Sequence, residues 1–139
     1  MSLEDNKNVV RRFINEVLTK GDISVVDQLV GPGYKNLFIP EQGIDAFKQL
    51  IGTSVNAIPD TKYTIEDIVA EGDRVVVRFT FSGTNTGSLM GSKPTGKHFS
   101  VPGLVFYRLA NGKIVEDAPF TNPDLQHLLG IPMPEQVHA

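Results

Sequence analysis

Hydrophobic residues recur at helical spacing along the first third of the chain. Val9, Val10, Phe13, Val17 and Leu18 form one stripe, predicting a helix that starts at a Ser2–Asp5 box and is capped at Gly21. Asp22 opens a second short helix through Val25, Val26, Leu29 and Val30, which Gly31-Pro32-Gly33 stops. Residues 34–39 read as a short strand. Helical spacing returns with Ile44, Phe47, Ile51 and Val55 and ends near Pro59.

Beyond Pro59 the period falls to two. Residues 62–70 form one β-run, and Glu71-Gly72-Asp73 a turn. The next run places Val75, Val77, Phe79 and Phe81 on one face and Val76, Arg78, Thr80 and Ser82 on the other. A Gly-rich connection, residues 83–96, leads to a long strand at 98–109, which Pro102-Gly103 is expected to bend through a bulge. Asn111-Gly112 is a hairpin signal that lays residues 113–121 beside it, and a last short helix is expected after Pro123. Helices first and an antiparallel meander afterwards predict an α+β fold: a curved sheet with helices across one face, a cone able to hold an apolar pocket.

At 139 residues the chain suits a single domain, 1–139, and 40% hydrophobic with 21% charged residues is ordinary for a globular protein. The net charge of −3 with no basic run argues against nucleic acid and anionic membrane as partners. No apolar run reaches membrane-spanning length, and no secretory signal opens the chain. There is no cysteine, which removes disulfides and thiol chemistry and fits a cytoplasmic location.

The chemistry is sparse. GSKPTGKH, residues 91–98, nearly matches a phosphate loop, but His98 stands where Ser or Thr should be and a strand follows where a helix is needed. His98, His127 and His138 lack ligand spacing, so no metal is expected. No nucleophile elbow is present. Acid–base chemistry remains, and the last strand offers Glu116 and Asp117. Strand parity puts Ile114, Glu116, Ala118 and Phe120 on one face and Val115, Asp117, Pro119 and Thr121 on the other. Each face is mixed, so parity leaves open which acid faces inward; burial would raise its pKa as a general base requires.

The stretches EGDRVVVRFTFSGTNTG, PTGK before a strand, and YRLANGKIVE together resemble the SnoaL-like polyketide cyclases, or ester cyclases, of the nuclear transport factor 2-like superfamily. The likeness runs from about Asn6 to Gly130. It implies a dimeric α+β cone whose pocket lies between sheet and helices, and cofactor-free, metal-free ring closure by an aldol-type step with pocket His and Asp moving protons. At the corresponding positions this chain has Asn36, Asn85 and Asn122, with Asp117-Ala118 where the family reads His-Trp. An amide keeps a hydrogen-bonding shape but moves no proton. Three functions stay open: an acid–base enzyme on a small apolar carbonyl compound, a non-catalytic binder of an apolar ligand, and a protein-interaction module using the sheet face. The enzyme reading takes Asp117 as base and Asn36 as the group orienting the substrate. Tyr34, Phe38, Phe79, Phe81, Asn85, Phe106, Ala118 and Asn122 are the candidate ligand contacts.

Overall fold

The computed structural model describes residues 2–37, 42–88 and 93–121. Helix α1 (Leu3–Arg12) begins with a complete capping box, Ser2 Oγ taking the Asp5 amide and the Asp5 carboxylate taking the Ser2 amide. It continues as a wider π-helical stretch, Phe13–Thr19, whose Phe13, Ile14 and Val17 are buried. Gly21, at φ 71°, donates its amide to the Val17 carbonyl and ends the run as expected. Asp22 caps a single 3-10 turn, Ile23–Val25, by accepting the Ser24 amide, and the short α2 (Val26–Leu29) follows.

The Gly-Pro-Gly stretch does not stop the chain in a loop. It lies inside strand β1 (Val30–Asn36), which therefore begins earlier than its hydrophobic pattern suggests. Helix α3 (Ile44–Ala57) then leads to β2 (Lys62–Glu71), β3 (Arg74–Thr84), β4 (His98–Ala110) and β5 (Lys113–Thr121). The five strands form one sheet in the order β1-β5-β4-β3-β2, antiparallel except that β1 runs parallel to β5. The α+β class is as expected, with the helices on one face of a curved sheet. Phe38, Asn122 and the helix expected after Pro123, with His127, lie outside the described residues.

Two irregularities in the sheet matter for the site. The bulge expected at Pro102-Gly103 is not there: β3 and β4 pair without a break, Thr80 opposite Pro102 and Phe79 opposite Gly103. Gly103 has a packing role instead, since a Cβ there would stand 2.3 Å from Phe79 Cζ. The Phe79 ring lies on the bare strand. The real bulge is in β5. Leu109 pairs with Ile114 and Arg108 with Glu116, so Val115 is the extra residue.

Aromatic rings tie the layers together. Tyr34 meets Phe47 of α3 edge-on, Phe47 stacks on Phe13, and Phe13 meets the edge of Tyr107 in β4. A second group, Tyr63, Phe79, Phe81 and Phe99, lies over β2, β3 and β4. Tyr34, Phe13, Phe47, Phe79, Phe81, Phe99 and Tyr107 all belong to the buried core.

Candidate acid–base site

The Val115 bulge decides the question that parity left open. With one extra residue between them, Ile114 and Asp117 both face the helices, while Glu116 turns outward to Arg108 at 3.4 Å and Arg74 at 3.8 Å. Asp117 is only 4% exposed. Its cross-strand neighbours are Tyr107 on β4 and Asn36 on β1.

The Tyr34 hydroxyl donates to Asp117 Oδ2 at 3.1 Å, and Asn36 Nδ2 donates to the Tyr34 oxygen at 3.3 Å. Asn36, Tyr34 and Asp117 thus form a directed chain in which the amide sets the phenol to donate to the carboxylate. Burial pushes the Asp117 carboxyl up to about 7, against which the Tyr34 hydrogen bond works only in part. The same burial, reinforced by the Asp117 charge, raises the phenols of Tyr34, Tyr63 and Tyr107. These are all three tyrosines of the chain, and at neutral pH all three remain hydrogen-bond donors.

Asp117 Oδ1 and the hydroxyls of Tyr63 and Tyr107 have no hydrogen-bond partner among the described residues. Asp117 and Tyr107 are buried and Tyr63 is partly buried. A buried carboxylate with phenol donors gathered around its charge is a grouping that can carry acid–base chemistry.

Comparison with known proteins agrees with this architecture. The family model described as SnoaL-like polyketide cyclase matches residues 8–123. The chain belongs to that family. No curated protein matches it. Among solved structures, TsrD from Streptomyces laurentii is 26% identical, with a TM-score of 0.84 and coverage of 94% of this chain and 98% of that one. A protein assigned as a SnoaL-like polyketide cyclase from Jannaschia sp. CCS1 is 25% identical at a TM-score of 0.83, covering 94% of both chains. AclR from Streptomyces galilaeus, assigned as a hydroxylase, is 26% identical at 0.78, with coverage of 96% and 89%.

Within this SnoaL-like fold the candidates read from sequence separate into three groups. Asp117, Asn36 and Tyr34 come together in one hydrogen-bonded chain. Phe79 and Phe81 face the helices and touch Tyr63, at ring distances of 5.4 and 4.5 Å. Phe106 and Ala118 do not line the interior. They pair with each other on the outer face of the sheet, where Phe106 is 39% exposed and meets Phe120 edge-on. The reason is alternation: Tyr107 and Asp117 point in, so their neighbours point out.

Asn85 is inside but is fully occupied with the fold. Its amide nitrogen donates to the Gly87 carbonyl at 2.9 Å and the Ala57 carbonyl at 3.4 Å, and its oxygen takes the amide and hydroxyl of Thr95. It fastens the end of α3 to the connection between β3 and β4. His98, the supposed end of a phosphate loop, begins β4 on the surface with its ring nitrogen 3.0 Å from Thr84 Oγ1. No cluster of metal-ligating residues occurs among the described residues, and no helix of theirs is long and apolar enough to cross a membrane. Sequence reasoning missed Tyr63 and Tyr107, although a signal was present: every tyrosine of the chain stands among inward hydrophobic residues.

Proposed function

We propose that this SnoaL-like protein is a cofactor-free acid–base enzyme acting on a small apolar carbonyl compound, as a cyclase or isomerase, with Asp117 as its base. The observation that supports this most is the Asp117 carboxyl itself, buried, anchored through one oxygen to Tyr34 and, among the described residues, unpartnered at the other. Oδ1 takes a proton from the carbon next to the carbonyl. The electron pair left behind moves onto the carbonyl oxygen as an enolate, which accepts hydrogen bonds from free phenol donors, for which Tyr63 and Tyr107 stand ready. In a cyclase the enolate carbon then attacks a second carbonyl of the same molecule, forming the ring bond, and the resulting alkoxide recovers the proton from Asp117. In an isomerase the proton returns to a different carbon. The apolar rings of Phe13, Phe47, Phe79 and Phe81 favour an apolar partner for these groups. Asn36 acts here by orienting Tyr34, which refines its expected role toward the substrate.

The outer face supports a second element of the proposal, a homodimer. Phe106 and Phe120, 39% and 59% exposed, meet edge to face there in a patch with Arg108, Glu116 and Arg74 at its edge. The cysteine-free sequence fits work in the cytoplasm.

The catalytic reading is tested without knowing the substrate by following deuterium uptake at the acidic carbon of aromatic β-keto esters. The wild-type protein is expected to speed exchange, increasingly as pH rises through about 7. Asp117→Asn is expected to lose at least ~100-fold, the usual contribution of a general base. If both proteins bind the probe and neither speeds exchange, the site is a binder's and the base assignment is wrong.

A further inference from the structure

The chain of donors that reaches Asp117 begins one residue earlier than the site described so far. β1 is an edge strand, paired with β5 on one side only. At its end the Leu37 amide donates to the Asp117 carbonyl at 2.8 Å, so the backbone of Asn36 faces away from β5. Both of its polar groups are met there by a single side chain. The Asn36 amide donates to Gln42 Oε1 at 3.2 Å, and Gln42 Nε2 donates to the Asn36 carbonyl at 3.1 Å. A primary amide has one acceptor and a donor side by side, so this two-bonded ring supplies what a neighbouring strand would supply.

We propose that Gln42 is a positioning residue: by completing the open edge of β1 at Asn36 it holds the Asn36 amide on the Tyr34 hydroxyl, and through it one oxygen of Asp117. The proposal rests on the reading of Asp117 as the working carboxylate. Few other side chains could do this. Glutamate at 42 would set a charged oxygen against the Asn36 carbonyl, and alanine would remove both bonds. Asparagine is a methylene shorter. The consequence for Asp117 follows from the polarity of the chain. Donation by Asn36 into the Tyr34 oxygen polarises its O–H and strengthens its hydrogen bond to the carboxylate. Loosening Asn36 weakens that bond, so the carboxylate is less stabilised and its titration moves upward. Tyr34, Tyr63 and Tyr107 are the titratable groups that feel Asp117, and all three stay neutral across the range concerned.

The test combines hydrogen exchange with carbon-detected NMR titration of the Asp117 carboxyl in wild type, Gln42→Ala, Asn36→Ala and the double variant. Gln42→Ala is expected to lower protection of the Asn36 amide by at least tenfold and to move the Asp117 titration upward by a few tenths of a unit. Asn36→Ala moves it in the same direction by at least as much, and the double variant by no more than Asn36→Ala alone. If protection is lost but Asp117 titrates as in wild type, or if the two shifts add, Gln42 supports only the local backbone and the proposal is wrong. A titration that falls in Gln42→Ala also overturns it, because water rather than a weakened donor would then reach the carboxyl. A wild-type carboxyl titrating near its ordinary value defeats the reading of Asp117 instead, which keeps the two failures apart.

Discussion

Asp117 works against the stability of the fold that holds it. The unfolded carboxyl releases its proton near ~3.9, the folded one at about 7. Between those values the native state binds more protons than the unfolded state, so stability falls as pH rises through that window and stays lower above it. Asp117→Asn removes the buried charge yet keeps an oxygen to accept from Tyr34. It is therefore expected to stabilise the protein by up to roughly 4 kcal/mol at pH 8 and by little at pH 4, as read from denaturant unfolding at both. Equal effects at the two pH values would show that Asp117 is not charged in the native protein at pH 8. At this scale the sequence was half legible. The amides at 36 and 85 were readable as groups that keep a hydrogen-bonding shape without moving protons. What each one binds was not readable, because Asn36 reaches Tyr34 while the side chain of Asn85 bonds to residues 57, 87 and 95.

Alternation along a strand decides which residues share a face, and a single extra residue resets it. Most strands here follow the pattern: Val75, Val77, Phe79 and Phe81 of β3 face inward as their spacing predicts. In β5 the Val115 bulge breaks the rule just before the proposed base, Asp117, and nothing in KIVEDAPF announces it. Pro102-Gly103 announced a bulge that did not form. The glycine answers instead to the ring of a neighbouring strand, a long-range cause that local sequence does not carry. Gly103→Ala is therefore expected to cost about 1–3 kcal/mol by overpacking, because the new methyl group meets Phe79 within a filled core. Chemical denaturation measures this; an unchanged midpoint would mean that the Phe79 ring has other room. The helices were more legible, since the Ser2 box and Gly21 cap use chemistry local to the chain.

For the whole molecule, the order helices-then-meander was enough to give the α+β class, and the quoted motifs gave the family. The face proposed to meet another copy was not separable in sequence from the face that meets the helices, because both carry phenylalanine. The structure separates them: Phe79 and Phe81 lie within, Phe106 and Phe120 without. Phe106→Glu with Phe120→Glu is expected to convert a dimer to monomers in light scattering while leaving the Asp117 titration in place. A wild-type protein of monomer mass would remove the homodimer from the proposal.

The parallel pairing of β1 with β5 has a further consequence, in time rather than in space. Strands β2 to β5 form a meander of neighbours, each able to pair as soon as the next has been made. The Tyr34–Asp117 contact spans 83 residues. During synthesis Tyr34 emerges early and waits, while its acid arrives near the end of the chain. A nascent product that stops short of residue 117 holds the donors but not the carboxylate they serve. The donor chain onto Asp117 thus closes only with β5, the last strand to be made of the five in the sheet.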